Sequence, residues 1–292
     1  MNKKYLKWIL LAGASLIWGT AFLWTKKSLA GLTPLQSAMG RIAVAGTVFL
    51  VLGGHGLVKL PVKFYLRFAV NGILGTFIPI LLFSIAQKHI DSGITAVFNS
   101  VTPLFVALIA YFVMKQPVGK RQIAGIFLGW MAAVMLIFVS SQTHPGQDYR
   151  YALLVFLAGI SYGWDMNLIK KWYKDVDVLT FTSGIFILLL PIALGILWIS
   201  GFFSQITEHP QVRESFLFVI IVGLSGSVAA KLMFNKLIQI DTPVFASTVT
   251  YLIPLIAVVA GILDGETIHP YQFLLGGLLL YAVYLSGSDK HS

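Results

Sequence analysis

Three ionisable side chains lie inside long apolar stretches of this sequence, at Arg41, Asp165 and Lys231. A charge at membrane depth is costly unless it is paired or faces water, so such side chains are the first candidates for a functional role. Arg41 has two roles open to it, because it can bind an anionic solute group or hold the backbone carbonyls of a broken helix. Asp165 and Lys231 are predicted at similar depth, so we predict that they form an ion pair, acting as a gate or as a structural contact.

Polar uncharged side chains recur at helical spacing in the same stretches. Asn99 shares one predicted face with Ser92, Thr95 and Thr102, and a second such face carries Ser247, Thr250, Tyr251 and Pro254. Faces of this kind can pack helices together in lipid. Their convergence with aromatic residues favours a wet cavity instead, and the predicted substrate-binding residues are Trp18, Arg41, Asn71, Asn99, Tyr162, Trp164, Lys231 and Tyr251.

Prolines stand in the middle of several of these stretches. A proline inside a helix removes a backbone donor and frees a carbonyl, which is tolerated at membrane depth only where protein or water satisfies it. We therefore predict helix hinges at Pro79, Pro103 and Pro254.

Enzymatic chemistry finds little support in the sequence. All six histidines, at positions 55, 89, 144, 209, 269 and 291, fall in predicted loops, and no HExxH, Gly-x-Ser-x-Gly or phosphate-binding glycine-rich motif is present. We therefore expect no catalytic residue, no cofactor and no metal site.

Composition places the chain in a membrane. Hydrophobic residues make up 57% and charged residues 11% of the 292 positions, against roughly 25% charge in ordinary globular chains. The net charge of +10 is scattered between apolar segments, which argues against nucleic-acid binding. The N-terminal segment resembles a signal peptide, but its apolar run continues to Trp24, so we predict that it stays as a membrane span.

Hydropathy predicts ten membrane spans, numbered 1 to 10 here. Fourteen Lys and Arg residues fall on the side that holds the N-terminus and five on the other. Because positive charge concentrates in the cytoplasm, we predict that both termini are cytoplasmic. The predicted spans cover about residues 6–25, 34–53, 65–86, 92–114, 121–140, 151–170, 179–199, 214–235, 242–263 and 270–287.

The sequence also contains a duplication. Asp91 to Lys115 and Asp241 to Glu266, which are offset by about 151 positions, both cross an apolar segment with a central proline, at Pro103 and Pro254. At an offset of about 144, Trp18 corresponds to Tyr162. We predict two repeats, at 1–145 and 146–292. Each repeat has five spans, an odd number, so the second must be inverted, an arrangement that places a solute path near the bilayer midplane.

The order of these features resembles the EamA-type proteins of the drug/metabolite transporter superfamily. The resemblance rests on Trp18-Gly19, on Thr33-Pro34 followed by Arg41, on Asn99 to Leu104, and on Ile253-Pro254-Leu255 with Gly265-Glu266. Lys115 and Lys231 depart from the family pattern. The resemblance implies a metabolite exporter or permease with a central cavity formed by spans 1–4 and 6–9, leaving spans 5 and 10 at the periphery.

We therefore expect an all-α integral membrane protein, a secondary transporter that exports amino acids or related amphipathic solutes across a bacterial cytoplasmic membrane. Its partners would be the solute, the lipid bilayer and a coupling ion or counter-substrate, but no nucleic acid, and the chain would be a monomer or weak dimer. A cationic drug or choline-like permease is the alternative with the same fold. A membrane enzyme or a lipid-binding protein is the alternative from another class.

The predicted topology can be tested by labelling single cysteines, since the chain has none of its own. A cysteine at Gln147 should react with an impermeant reagent in intact cells, whereas one at Gln116 should react only after permeabilisation. The opposite pattern would reverse the topology.

Overall fold

A computed structural model describes residues 3–57, 60–143, 148–263 and 270–286 of the chain. The described residues are almost entirely helical, and no β-strand occurs among them. Within the described part of the chain, seven helices are long and apolar enough to cross a membrane, and Pro243–Ala257 is a shorter apolar helix. The first span is Lys3–Ser28, the second Pro34–Leu57, the fifth Lys120–Thr143, the sixth Ala152–Trp172, the seventh Val178–Ile199 and the tenth Pro270–Ser286.

The remaining four spans are interrupted helices. Span 3 joins Lys63–Gly72 and Ile78–Gln87 through a π-helical turn at Ile73–Phe77, and span 8 joins Pro210–Val222 and Lys231–Ile240 through a π-helical segment at Gly223–Ala230. Span 4 consists of Ser92–Asn99, Thr102–Leu108 and a π-helical turn at Ile109–Val113, while span 9 consists of Pro243–Ser247 and Val249–Leu263. These ten spans confirm the predicted fold class.

The spans alternate in direction between two ends of the bundle. We call the end where span 1 begins the N-terminal face, marked by the Lys7–Asp241 ion pair, and the other end the opposite face, marked by the Lys26–Asp91 ion pair. Short connections join consecutive spans at alternating faces, as expected for antiparallel neighbours.

The two repeats are interleaved. Span 2 packs on span 7 and span 5 on span 10, which are equivalent spans of the two repeats. Span 1 packs on spans 8 and 9, and span 6 packs in the same way on spans 3 and 4. These reciprocal contacts are what a two-fold relation between the repeats requires.

Small residues recur where the interrupted spans correspond. At the 151 offset, Gly72 and Gly75 of span 3 match Gly223 and Gly226 of span 8, and both pairs lie at a π-helical segment. π-Helical turns commonly mark functional sites, because they release backbone groups from regular pairing.

Two local expectations change. The connection at 200–213, expected as a loop, contains the helix Phe202–Glu208. His55, also expected in a loop, lies in the last turns of span 2, because that helix continues past its apolar stretch to Leu57. Residues 144, 147, 265, 266, 269 and 291, to which sequence-based predictions were attached, lie outside the described residues.

Candidate functional site

A cavity lies at the centre of the bundle, between the two repeats. Water centres can occupy about 60 Å³ of it, several times the roughly 10–15 Å³ that one water molecule needs. Its lining extends from Met166, Phe234 and Thr250, in the half nearer the N-terminal face, to Thr25 and Gln87 at the opposite face. Spans 5, 7 and 10 contribute no residue to this lining among the described residues. The central cavity that the sequence predicted is therefore present, but without span 7.

Aromatic rings form much of the cavity wall. Trp18 of span 1 meets Phe234 of span 8 edge-on at 4.8 Å between ring centroids. Phe83 of span 3 contacts both Phe22, at 5.6 Å, and Tyr162, at 6.2 Å. Such a wall suits an apolar side chain or an organic cation.

Arg41 supplies a positive charge to this aromatic cavity. Its Nε donates a hydrogen bond of 2.6 Å to the Ser227 hydroxyl. Gly226 makes room for the guanidinium, because a Cβ at that position would lie 3.1 Å from Arg41 Nη2. Within the described part of the chain, no carboxylate pairs with Arg41. A buried guanidinium without an acidic partner favours an anionic ligand.

Several residues that line the cavity occupy equivalent positions in the two repeats. Trp18 and Tyr162 correspond at the 144 offset, and Phe83 and Phe234 correspond at the 151 offset, as do Asn99 and Thr250. Both members of each pair line the cavity, so the cavity lies where the two repeats meet.

Beside the cavity, Asp165 and Lys231 form a buried ion pair. Lys231 Nζ lies 3.3 Å from Asp165 Oδ2, and the two side chains are 7% and 0% exposed respectively. Asn71 donates a hydrogen bond of 2.7 Å to the other carboxylate oxygen, and the Tyr173 hydroxyl donates to Asn71. Gly75 is required here, since a Cβ would overlap the Asp165 carboxylate. The pair thus ties span 6 to spans 3 and 8.

Lys231 also satisfies a carbonyl that a proline has freed. Pro79 cannot donate to the carbonyl of Gly75 one turn earlier. Lys231 Nζ donates to that carbonyl oxygen at 3.0 Å. In span 9, Pro254 leaves the carbonyl of Thr250 free, and the Ser100 hydroxyl donates to it at 3.0 Å. Two of the predicted hinge prolines, Pro79 and Pro254, therefore lie beside contacts between spans.

The N-terminal face is held closed by further polar contacts. Lys170 of span 6 donates to the carbonyls of Ile238, Gln239 and Asp241, at 2.5 to 3.1 Å, around the end of span 8. The Gln239 side chain in turn donates to the carbonyls of Tyr173 and Val176. A cation at the C-terminal end of a helix is stabilised by the unpaired carbonyls there.

Four of the eight predicted substrate-binding residues line the cavity, namely Trp18, Arg41, Asn99 and Tyr162. The other four do not. Asn71 and Lys231 are engaged with Asp165, and Trp164 is not part of the lining. Tyr251 is 1% exposed, packs against Gly129 and donates its hydroxyl hydrogen to the Ile126 carbonyl of span 5.

From span 9, Thr250 lines the cavity in place of its neighbour Tyr251. One step along a helix turns a side chain by about 100°, so neighbouring residues face different partners. The repeat alignment contains this signal, since Thr250 is the counterpart of Asn99. Sequence reasoning also missed Phe22, Thr25, Ser84, Gln87 and Met166, which line the cavity from spans 1, 3 and 6.

The fold and the cavity together define a multi-pass membrane transporter built from two inverted repeats. The model of the EamA-like transporter family matches residues 6–138 and 150–288, so the chain belongs to that family. It is 28% identical to Protein PecM of Dickeya dadantii over 93% of this chain and 87% of that protein. It is also 28% identical to the uncharacterized inner membrane transporter YedA of Escherichia coli K12, over 94% of this chain and 89% of that protein.

One solved crystal structure resembles the chain over 95% of both proteins, with a TM-score of 0.69 and 15% sequence identity. That likeness concerns the fold alone. The family is described as a transporter family and YedA as an uncharacterized inner membrane transporter, which is consistent with the expectation that the chain is not an enzyme.

The buried ion pair gives a test by a double-mutant cycle. Asp165→Asn and Lys231→Met should each cost about 3–5 kcal/mol of stability, because each leaves an unpaired charge or donor at membrane depth. The double variant should cost less than the sum of the two. Thermal unfolding in detergent measures all three. The partly exposed pair Lys7 and Asp241 is the matched control and should show weak coupling. Additive losses at Asp165 and Lys231 would mean that the two charges do not interact.

Proposed function

We propose that this protein is a secondary active transporter that exports small carboxylate-bearing metabolites, amino acids or related amphipathic solutes, across a bacterial inner membrane. The observation that carries the proposal is the guanidinium of Arg41, which faces an aromatic-lined cavity and has no acidic partner among the described residues. A carboxylate is the group that a guanidinium binds most strongly, by paired and charge-assisted hydrogen bonds.

The rest of the solute would be held by the other cavity walls. Trp18, Phe83 and Phe234 offer apolar surface to a side chain. An ammonium group would lie against the ring of Tyr162 or donate hydrogen bonds to the oxygens of Asn99 and Thr250. Lys231 and Asn71 already bind the Asp165 carboxylate, which is therefore not available to an ammonium. We therefore assign the ammonium to aromatic and neutral polar groups.

Transport would proceed by alternating access. The cavity reaches Gln87 at the opposite face, while Lys170 and Gln239 hold the spans together at the N-terminal face. Opening toward the N-terminal face would require span 6 to separate from spans 3 and 8, and hence the Asp165–Lys231 pair to break. The π-helical segments of spans 3 and 8 adjoin this pair and are the expected bending points.

A cationic drug or choline-like permease is the competing function on the same fold. The aromatic rings favour a cation, but a buried guanidinium in the same cavity repels one. Counterflow in proteoliposomes distinguishes transport from an enzyme or a lipid-binding protein, because only a transporter exchanges solute across the vesicle membrane.

Arg41→Gln should weaken binding of carboxylate solutes by about 10- to 100-fold, the effect of losing a charge-assisted hydrogen bond. Solute-induced thermal shift in detergent measures this with a panel of amino acids, their amides and choline. Arg213→Gln, which changes an exposed arginine at the opposite face, is the control and should leave affinity unchanged. The amides should bind wild type and Arg41→Gln equally. Stronger binding of choline than of any amino acid to the wild-type protein would favour the cationic permease.

Asn99→Leu should weaken solute binding by about fivefold, since it removes one neutral polar contact worth about 1 kcal/mol. Tyr251→Phe, on the neighbouring helix, removes only the hydroxyl that donates to Ile126 and should leave affinity unchanged while lowering stability. Equal loss of affinity in both variants would place Tyr251 at the solute. It would contradict the proposal that Asn99, and not Tyr251, belongs to the solute-binding wall of the cavity.

A further inference from the structure

A second, entirely apolar groove lies on the outer surface of the bundle, between spans 4 and 5. Its volume is about 420 Å³, and no polar surface lines it. Leu108 and Phe112 form one wall, and Ile123, Phe127 and Trp130 form the other. All five are partly or largely exposed within the protein. A groove of this kind at membrane depth is filled by hydrocarbon, because no group in it can hold water.

The connection between spans 4 and 5 closes the groove at the N-terminal face and is basic. Val118 of this connection lines the groove, and Lys115, Lys120 and Arg121 lie within three residues of it. Lys120 and Arg121 are exposed. From Ser92 to Thr143 the sequence contains these three basic residues and no Asp or Glu. The positively charged end of the groove therefore suits a negatively charged ligand group.

The connection has a defined shape. Lys115 adopts a left-handed backbone conformation, with φ of 55°, which is unfavourable for a residue with a side chain. The Gln116 amide donates to the carbonyl of Ala110 at 2.9 Å, so the chain folds back over the end of span 4. The connection that carries Lys115 is thus fixed against the end of span 4.

The basic cluster belongs to one repeat alone. At the 151 offset, Lys115 corresponds to Glu266, and Lys120 and Arg121 correspond to Tyr271 and Gln272. Because the repeats are inverted, the described counterparts Tyr271 and Gln272, at the start of span 10, lie at the opposite face. The three basic residues therefore occur in the first repeat only, and they lie only at the N-terminal face.

We propose that this groove is a binding site for an anionic phospholipid. One acyl chain lies along spans 4 and 5, and the phosphate meets Lys115, Lys120 and Arg121. Basic residues at the cytoplasmic ends of membrane helices attract anionic headgroups in this way. The lipid fills the gap between the peripheral span 5 and span 4, which carries Asn99 on its inner side.

Native mass spectrometry of the full chain in detergent tests the site, with phosphatidylglycerol and phosphatidylcholine of the same acyl chains as probes. We expect one retained phosphatidylglycerol per chain and about a tenfold preference over phosphatidylcholine. Changing Lys115, Lys120 and Arg121 together to Gln should reduce the preference to less than about twofold. Changing Lys63, Lys174 and Lys236 to Gln, three exposed basic residues at the same face, is the matched control and should leave it unchanged.

Ala107→Phe tests the acyl-chain part of the site, because a large side chain would fill the groove between spans 4 and 5. It should reduce retention of both lipids while the protein remains folded, as judged by thermal unfolding. Equal binding of the two lipids to the wild-type chain would overturn the proposal, as would a preference that survives in the Lys115/Lys120/Arg121 variant. A lipid-free dimer that Ala107→Phe converts to monomer would instead assign the groove to a second copy of the chain. None of these outcomes depends on which solute is transported.

Discussion

Every backbone polar group at membrane depth must find a partner within the protein, and this structure is organised around the places where regular helix pairing fails. Pro79 leaves the Gly75 carbonyl free, and Lys231 donates to it; Pro254 leaves the Thr250 carbonyl free, and Ser100 donates to it. The π-helical segment of span 8 exposes the Gly226 carbonyl, to which Trp18 donates at 2.9 Å. In each case the donor comes from a different span than the acceptor. The interruptions therefore connect the repeats at the centre of the bundle, where the cavity lies.

The charged residues lie where the two repeats differ. At the 144 offset, Asp165 corresponds to Ala21 and Arg41 to Ile185, and at the 151 offset Lys231 corresponds to Ile80. Ala21 and Ile80 both line the cavity. A purely symmetric transporter would close its two faces by equivalent contacts, whereas here a buried ion pair has only apolar counterparts. Under the alternating access proposed above, opening of the N-terminal face would therefore break a buried ion pair that has no charged counterpart in the other repeat.

The sequence predicted the fold well because hydropathy and repeat offsets depend on long stretches of residues. The number of spans follows from their apolar length. The pairing of Asp165 with Lys231 and the place of Arg41 in the cavity follow from how far each residue lies from the end of its helix. Which face a side chain presents depends instead on helical phase, and phase shifts wherever a helix is interrupted. Span 9 breaks at Thr248, three residues before Tyr251. The sequence pattern named Tyr251 on this face, whereas in the structure Tyr251 packs toward Gly129 of span 5 and its neighbour Thr250 lines the cavity.

The link between ion pair and cavity is span 3. Its Gly75 carbonyl accepts from Lys231, and its next turns supply Ile80, Phe83, Ser84 and Gln87 to the cavity wall. The π-helical turn and Pro79 separate these two parts, so that span 3 has fewer internal hydrogen bonds where it must bend. Breaking the Lys231 contact would leave a bare carbonyl at membrane depth, which is costly unless water reaches it. If the N-terminal face opens as proposed, water must therefore reach the Gly75 carbonyl once Lys231 has left it.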